Sequence, residues 1–251
     1  MKKLSKKIIA IFEIFLFWYC MSIVLKKDLL PNPMITLETT FTLLITSSRI
    51  WIHILVSLYR VMLGILLGTV FSIPMGILLG YSKRIEKYFG EAFDFLYMIP
   101  KIVFLPIFFV LLGIGDLSKI ALIATVLFFQ QTILIRDNVK NISEEIYDSI
   151  RILQASFWQI IQHVVFPSCL SGIFTSVKSS LGISFALLFI TENFASQSGL
   201  GYFITKCMDR RDYVTMYAAI LILAILGCIL YTIFCFLERK ICKWKFLNHK
   251  E

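Results

Sequence analysis

Three ionisable side chains lie within apolar runs of this sequence and are the best placed for chemistry inside a membrane: Glu13, Lys101 and Lys178. Charged groups are expensive in hydrocarbon, and they commonly mark a solute pathway or a proton relay. These three form no obvious relay, which disfavours transport driven by an ion gradient. For Lys101, a pathway position and a side chain that snorkels to the interface are equally good interpretations.

Motifs of enzyme chemistry are absent from the sequence. It has no GxxxxGK[ST] phosphate loop, no HExxH helix, no EF-hand pattern and no GxSxG nucleophile elbow. The three histidines are scattered, and none of the six cysteines forms a CxxC pair. The sequence therefore gives no positive evidence for an enzyme, and it has no P-loop with which to bind ATP.

Composition places the chain in a membrane. Of its 251 residues, 58% are hydrophobic and only 16% are charged, against about 45–50% and about 25% in soluble domains. Several runs approach the 20 apolar residues or so that a membrane-spanning helix needs. The net charge of +9 clusters just outside these runs, which favours a role in membrane orientation over nucleic-acid binding.

Six membrane spans are predicted from the apolar runs. Their approximate bounds are 8–25, 55–81, 93–112, 117–135, 170–191 and 216–237. The segments on the side of the two termini hold 15 Lys and Arg residues, and the opposite segments hold 7. Because positive residues accumulate in cytoplasmic loops, both termini are expected in the cytoplasm.

The second and third spans carry residues that disturb or crowd a helix. The second has two small-xxx-small pairs, Gly64 with Gly68 and Gly76 with Gly80, a pattern that lets membrane helices approach closely. The third contains Pro100 and Pro106. Two prolines in one span predict an irregular helix that lines a cavity, because the freed backbone groups need polar partners.

The longest polar interruption, residues 137–169, is predicted to form two short helices. Ser143 followed by Glu144 and Glu145 suits a helix start, and Ser156 with Gln159 fits a capping box. Pro167 is expected to help end the second helix. Both helices have an apolar face, which must pack on the protein's own spans, on the membrane interface or on a partner. Periodicity leaves these three alternatives open.

This loop resembles the cytoplasmic signature of the permease subunits of ATP-binding-cassette (ABC) importers. The signature is Glu-Ala-Ala, then a glycine, then Ile-x-Leu-Pro. Asp-Ser-Ile at 148–150 stands in the first position, Gln154 in the glycine position, and Val-Val-Phe-Pro at 164–167 in the last. Ala-Ser-Phe-Trp-Gln at 155–159 is similar to the usual Ala-Ser-x-Trp-x. If the turn needs positive φ, Gln154 costs about 1 kcal/mol relative to glycine.

Ordered matches to the nitrate/sulfonate/taurine branch of that family extend over about residues 30–245. They are LPNP at 30–33, SLYRV at 57–61, PMGILLG at 74–80, GIGDLSK at 113–119, and Glu192 with SGLGY at 198–202. The resemblance implies an all-α integral membrane protein with six transmembrane helices and the MetI-like fold of type I importer permeases. Residues 1–54 would precede a core of 55–240, with the coupling loop at 137–169 and a basic tail at 241–251.

The resemblance also implies partners. A cytoplasmic ABC ATPase dimer would hold ATP and Mg and bind the coupling loop, an extracytoplasmic binding protein would deliver the substrate, and a second copy of the chain would complete the pathway. No cofactor is expected on this chain. The implied coupling residues are Asp148, Ser149, Ile150, Arg151, Leu153, Gln154, Ala155, Ser156, Trp158 and Pro167.

The substrate and its pathway are less defined. The branch carries sulfonates, taurine or nitrate, and related members carry pyrimidine vitamin precursors or riboflavin. Ordinary packing competes with a pathway role for each of these candidates: Pro100, Lys101, Pro106, Lys178, Ser179, Ser184, Glu192 and Asn193. The alternatives to an importer permease in a bacterial inner membrane are an ion-driven secondary transporter, a membrane enzyme, and a membrane anchor without transport.

Overall fold

The structure, a computed structural model, describes residues 2–25, 29–152, 154–194 and 196–247. Within these ranges every regular element is a helix. The α-helices are α1 (Lys2–Val24), α2 (Pro33–Thr46), α3 (Ser48–Tyr81), α4 (Lys83–Met98), α5 (Leu105–Leu112), α6 (Asp116–Lys140), α7 (Glu144–Ile152), α8 (Phe157–Ile160), α9 (Phe166–Asn193), α10 (Leu200–Asp209), α11 (Tyr213–Ile241) and α12 (Lys243–Leu247). A 3₁₀ turn, Lys101–Phe104, precedes α5, and a π-helical turn, Ile161–Val165, precedes α9.

Four of the predicted spans are long apolar helices in the structure. They are α3, α6, the run from Phe157 to Asn193, and α11. The helix pair 83–98 and 101–112 is bent by 84° at its break and counts as a fifth span if it crosses as one unit. The first predicted span corresponds to α1, whose stretch Phe12–Val24 is a shorter apolar helix. The irregularity predicted for the third apolar run is thus confirmed by the bend of 84°.

The chain forms two compact units. The first unit contains residues 1–57 and 192–226, and the second contains residues 58–191 and 227–251. In the first, Ile50, Ile54, Leu200 and Ile222 form a buried apolar cluster. In the second, a larger cluster is built from α3, α6 and the start of α9.

Close contact between α3 and α6 is the main packing feature of the second unit. The four predicted glycines of α3 each face a branched or large residue of α6, and we call this contact the glycine seam. Its pairs are Gly64 with Ile123, Gly68 with Leu127, Gly76 with Ile135, and Gly80 with Val139. A Cβ at Gly76 would lie 2.9 Å from the carbonyl oxygen of Thr132, so the backbones approach as small-residue pairs allow.

Candidate functional site

The two helices predicted within residues 137–169 are present and begin at α7 and α8. The turn between them lies at Gln154, as expected. Helix α7 begins at Glu144, directly after Ser143. Gln154 has φ +54°, so it adopts the left-handed conformation that glycine usually supplies at the end of a helix. Leu153 and the side chain of Arg151 lie outside the described residues. The predicted glycine-type turn is therefore real, and a glutamine occupies it.

The second helix begins with the predicted capping box. The Gln159 N–H donates to Ser156 Oγ at 3.4 Å, and the Ser156 N–H donates to Gln159 Oε1 at 2.7 Å. These reciprocal bonds satisfy two backbone donors that the first helical turn would leave free.

The prediction for Pro167 was wrong, because the helix runs on from Phe157 to Asn193 for 37 residues. In the π turn before α9 the Phe166 N–H donates to the Ile161 carbonyl. Pro167 then lies in the first turn of α9, where a missing backbone N–H is tolerated.

One side of the helix pair packs on the protein's own spans. The Tyr81 ring lies 5.7 Å from Tyr147 and 5.5 Å from Phe157, measured between ring centroids. Ile160 and Val165 are buried in the apolar cluster of the second unit, and Ile150 and Ala155 pack against it partly buried. This packing fixes the pair to the inner framework of α3 and α6.

The other side of the pair exposes large apolar side chains. Ile152 is 81% exposed and Trp158 is 75% exposed. Asp148 and Ser149 are also exposed, and Ser149 Oγ donates to the Glu145 carbonyl at 2.8 Å. Ile152 and Trp158 lie on either side of the turn at Gln154, so large apolar side chains are exposed before and after the turn.

A charged cluster lies where α4 and α6 reach the loop. Arg136, which is buried, donates to Asp94 at 2.9 Å and lies 3.7 Å from Glu86. Lys140 contacts the same Glu86 carboxylate at 2.5 Å. A cavity of about 360 Å³ adjoins this cluster and reaches Tyr147 of α7. The ion pairs connect the bent span to the helix that carries the loop.

Lys101, a pathway candidate, has a structural explanation that neither earlier interpretation foresaw. Its Nζ donates to the carbonyl oxygens of Leu96 and Tyr97 at 2.7 Å and of Ile99 at 3.0 Å. It also lies 4.9 Å from the centroid of the Phe129 ring. An ammonium group is favoured at a helix C-terminus, where carbonyl groups lack partners. Lys101 therefore caps α4 at the 84° bend.

The prolines of this span lie at positions that proline tolerates. Pro100 directly precedes the 3₁₀ turn and Pro106 lies in the first turn of α5, where no backbone N–H is needed for the helix. The bend and its lysine cap thus account for the irregularity of this helix pair. A role for Pro100, Lys101 and Pro106 in lining a cavity stays a prediction.

The candidates on α9 divide into one ion pair and several backbone contacts. Lys178 Nζ donates to Glu238 Oε2 at 2.6 Å, and Lys245 donates to Glu238 Oε1 at 3.0 Å. Ser179 and Ser184 donate to carbonyl groups of their own helix, as hydroxyls in apolar helices often do. Lys178 is thus a neutralised cation that joins α9 to α11.

Glu192, like Ser184, is fully buried, with a relative exposure of 0%. Ser57 Oγ donates to its Oε1 at 2.8 Å, and the Gly201 N–H donates to its Oε2 at 2.8 Å. The Leu200 N–H donates to Ser57 Oγ at 2.7 Å. A carboxylate in this position is stabilised by the unpaired N–H groups and the dipole of the α10 N-terminus. We call Glu192, Ser57, Gly201 and Leu200 the Glu192 network.

Gly199 is what allows the Glu192 network to form. Its φ is +112°, and a Cβ there would overlap the Glu192 carboxylate. Its N–H donates to His53 Nδ1 at 3.1 Å, which ties the loop to α3. Asn193, the next candidate, is exposed and accepts a hydrogen bond from Thr205 Oγ1 at 2.5 Å. The SGLGY motif is therefore a helix start built around a buried carboxylate.

The comparisons with known proteins identify the family. A family model described as the binding-protein-dependent transport system inner membrane component matches residues 61–243 of the chain. The chain belongs to this family. It is therefore the multi-pass permease subunit of an ABC importer in the inner membrane, and ATP hydrolysis takes place on a separate subunit.

Curated relatives cover most of the permease. It is 34% identical to the putative aliphatic sulfonates transport permease protein SsuC of Bacillus subtilis over 88% of this chain and 80% of the relative. It is 27% identical to the taurine transport system permease protein TauC of Escherichia coli, over 86% and 80%. It is 27% identical to the nitrate import permease protein NrtB of Synechocystis, over 83% and 79%.

Solved structures show that the permease has the predicted MetI-like fold of type I importers. A chain of the inward-facing MetNI methionine ABC transporter matches with a TM-score of 0.66 at 18% identity, over 78% of the permease and 99% of that chain. A chain of a bacterial alginate ABC transporter in complex with its alginate-bound periplasmic protein matches with a TM-score of 0.65 at 15% identity, over 97% and 98%.

Several buried polar residues that link helices of the permease were not predicted to do so from the sequence. Ser72 donates to Gln131 Oε1 at 3.2 Å, and Gln131 Nε2 donates to Ser180 at 3.4 Å. These three fully buried side chains link α3, α6 and α9. Glu238 was not predicted either, because an ordinary Glu near a helix end gives no signal until its partners are known. Ser57 was noted only as the start of the SLYRV match, and its contact with Glu192 was not predicted.

Proposed function

We propose that the helix pair of residues 137–169 is the surface through which the permease binds its ATPase partner. The observation that carries this proposal is that Ile152 and Trp158 are exposed on either side of the turn at Gln154. A tryptophan that is exposed in the free protein is a typical energetic centre of a protein interface. The loop matches the position of the family signature.

Packing at the base explains how movement of the ATPase would reach the spans. Tyr147, Ile160 and Val165 pack on residues of α3 and α6, and protein interiors are too densely packed to absorb a displacement locally. A shift of the exposed turn would therefore move the inner ends of the spans with it. This packing and the resemblance to the family signature together support coupling roles for Asp148, Ser149, Ile150, Gln154, Ala155, Ser156, Trp158 and Pro167. The coupling roles proposed for Arg151 and Leu153 rest on the resemblance alone.

The test compares Trp158→Ala with Tyr88→Ala in the complex reconstituted in proteoliposomes. Both aromatic side chains are about equally exposed, 75% and 69%, but Tyr88 lies on α4, outside the loop. A buried interface anchor is worth about 2 kcal/mol or more, which weakens binding roughly thirtyfold. We expect Trp158→Ala to lose ATPase binding and ATP-driven uptake while Tyr88→Ala retains both. Equal retention in both variants would exclude Trp158 as an anchor.

A second test addresses coupling directly. Asp148→Arg, and separately a deletion of residues 150–155, should separate ATP hydrolysis from transport while the protein stays folded. Coupled uptake in both variants would show that the energy enters elsewhere.

We further propose the organisation of the complete importer. Two copies of the permease would pair, an ATPase dimer holding ATP and Mg would bind on the cytoplasmic side, and a binding protein would dock on the opposite side. The orientation rests on the excess of Lys and Arg beside the termini. A thiol-specific reagent that cannot cross the membrane tests it, because a cysteine introduced at Lys83 should react only after the cells are opened.

The substrate we propose is a small organic anion, a sulfonate in the first place. The relatives named for sulfonates, taurine and nitrate support this class. Uptake of a labelled alkanesulfonate should be inhibited by excess taurine or nitrate if they share the site. Inhibition by a pyrimidine vitamin precursor alone would replace this substrate class with the alternative one.

A further inference from the structure

His53 of α3 accepts a hydrogen bond from the backbone of the loop that precedes α10. The Gly199 N–H donates to His53 Nδ1 at 3.1 Å. A backbone N–H can only donate, so Nδ1 carries no proton here and the proton of the neutral imidazole is on Nε2. The bond that ties this loop to α3 therefore requires the neutral form of His53.

Helix α10 packs on the imidazole ring. The centroid of the His53 ring lies 5.3 Å from that of Phe203 and 6.0 Å from that of Tyr202, distances at which ring pairs attract one another. His53 is half-buried, and it precedes the predicted start of the second span at about residue 55. The ring is thus held beside α10 and still within reach of protons from water.

Protonation of the ring would break the bond to Gly199. The imidazolium carries an N–H at both nitrogens, so two donors would face each other at 3.1 Å. The Gly199 N–H, which is partly buried in this contact, would lose its acceptor, and an unpaired donor away from water is unfavourable. Gly199 has φ +112° and lies against the Glu192 carboxylate, so its displacement would disturb the start of α10.

The charged side chains on the elements around His53 do not remove this conflict. They include the exposed Glu38 of α2, Arg49 of α3 and Lys206 of α10, together with Arg60 of α3, which is paired with Asp116, and the buried Glu192 at the end of α9. Helix α11 contributes the apolar Ile222 to this region. Glu192 already accepts from Ser57 and Gly201, so an imidazolium drawn to Glu192 would compete with these donors and loosen the loop as well.

The course of α9 places this contact opposite the coupling loop. The helix from Phe157 to Asn193 is long and apolar enough to cross a membrane, and it leads from the coupling loop to the SGLGY motif, residues 198–202. His53 and the motif therefore lie at the end of this span that is remote from the coupling loop. In the orientation proposed above, that end is extracytoplasmic.

We propose that His53 is a pH switch for the SGLGY motif. Neutral His53 holds Gly199 and the start of α10 in place, and protonation of His53 by an acidic extracytoplasmic solution releases Gly199 and slows transport. Gly199 lies against Glu192, so its release also loosens the Glu192 network. The effect on transport rests on the proposed importer function and orientation, whereas the release of Gly199 depends on neither.

The first experiment measures hydrogen–deuterium exchange of residues 198–203 in the full-length permease, purified with its ATPase. Exchange is compared at about pH 7.5 and about pH 5, on either side of the pKa of an unperturbed histidine. His53→Asn keeps an acceptor oxygen at the position of Nδ1 but does not titrate, and His53→Phe keeps a ring but has no acceptor. Comparison of variants at one pH cancels the pH dependence of the exchange chemistry.

At the higher pH we expect the wild type to exchange as slowly as His53→Asn, and His53→Phe about tenfold faster, a factor that corresponds to 1.4 kcal/mol. At the lower pH the wild type should exchange about threefold to thirtyfold faster than His53→Asn, the upper bound being set by protonation of a free histidine with a pKa of about 6.5. Equal exchange of the wild type and His53→Asn at both pH values overturns the switch, because any response they share belongs to another group.

A second histidine provides the matched control. His163→Asn, in the π turn before α9, should keep the acid response of the wild type at residues 198–203. Loss of the response in His163→Asn overturns the assignment to His53. If His53→Phe does not fold, the comparison of the wild type with His53→Asn and His163→Asn still decides the outcome.

The second experiment connects the switch to transport. Proteoliposomes in which the SGLGY motif faces outwards take up a labelled alkanesulfonate at the same two external pH values, with the internal pH held constant. We expect the ratio of wild-type to His53→Asn uptake to fall by about twofold or more at the lower pH, and this ratio cancels effects on the binding protein and the ATPase. An unchanged ratio together with an exchange response overturns the effect on transport. If neither permease takes up substrate at either pH, the importer proposal fails, while hydrogen–deuterium exchange still decides whether His53 is a switch.

Discussion

The glycine seam of the second unit and the Glu192 network of the first unit join helices by opposite means. In the seam, the absence of side chains brings α3 and α6 together, and a Cβ at Gly76 would lie 2.7 Å from the Cβ of Ile135. In the network, a fully buried carboxylate accepts hydrogen bonds from Ser57 and Gly201. The seam should therefore be sensitive to added volume, and the network to lost acceptors.

The largest effect is expected from Glu192→Ala. The change leaves the Ser57 hydroxyl and the Gly201 N–H buried without their acceptor, and each such group costs about 1–3 kcal/mol. We expect the free energy of unfolding to fall by about 2–6 kcal/mol, measured by thermal or denaturant unfolding of the purified complex. Glu192→Gln keeps one acceptor oxygen and should lie between the wild type and Glu192→Ala.

Asn193→Ala is the control for the network. Asn193 is the neighbouring residue and is exposed, and its hydrogen bond to Thr205 is accessible to water. Exposed substitutions usually change stability by about 0.5 kcal/mol or less. If Glu192→Ala is no more destabilising than Asn193→Ala, the buried carboxylate does not hold the start of α10.

The second largest effect is expected from Gly76→Ala in the seam. Its Cβ would lie 2.9 Å from the Thr132 carbonyl oxygen, a backbone atom that moves only if the helices separate. Overpacking of this kind costs about 1–3 kcal/mol. The matched control is Gly182→Ala on α9, where a Cβ meets nothing within 4 Å. Because alanine favours helix by about 1 kcal/mol over glycine, the control should be neutral or stabilising.

Sequence reasoning found the seam but not the network, and the difference has a physical cause. Small residues four positions apart on a membrane helix are typical of close packing against another helix. The packing role of Gly76 and Gly80 could therefore be predicted from the sequence of α3 alone. Glu192 depends on Ser57, which is 135 residues away in the sequence. Contacts of that separation leave no local pattern.

The local structure of residues 137–169 was the best predicted part of the candidate site. The capping box at Ser156 and the turn at Gln154 follow from local rules, and both are present. The prediction that Pro167 helps to end the second helix was wrong, because it rested on proline alone and the π turn before α9 could not be seen in the sequence. The role of Lys101 as a cap of α4 was not predicted. Lys101 caps the helix at a bend, and two prolines in a sequence do not determine the angle of that bend.

The two units also share a feature: in each, a residue other than glycine adopts the left-handed backbone conformation just after a helix. Gln154 follows α7 with φ +54°, and Arg211 follows α10 with φ +58°. At the end of α10 the Arg211 N–H donates to the Met208 carbonyl and the Asp212 N–H donates to the Cys207 carbonyl, which completes a Schellman motif. Both positions are ones at which glycine is the relaxed choice.

Gln154→Gly and Arg211→Gly should each stabilise the protein, by about 1 kcal/mol at most, because the left-handed strain is removed. Unfolding of the single and double variants gives the stability. The two gains should add because the positions belong to separate compact units and independent sites are additive. A loss of uptake in one variant alone, despite the gain in stability, would show that the replaced side chain serves binding at that turn.

The smallest expected effect is on the reactivity of the Cys207 thiol, which reports how firmly α10 packs in the first unit. Burial raises the pKa of the Cys207 thiol to about 11, and the nearby Asp212 carboxylate adds to the shift. Only the thiolate reacts with alkylating reagents, so the reaction rate of a variant with Cys207 as its sole cysteine should keep rising with pH until about 11. In Glu192→Ala, freeing α10 should return the midpoint toward the ordinary value of about 8.5. A midpoint near that value in the otherwise unchanged protein would mean that α10 is already loose without the substitution.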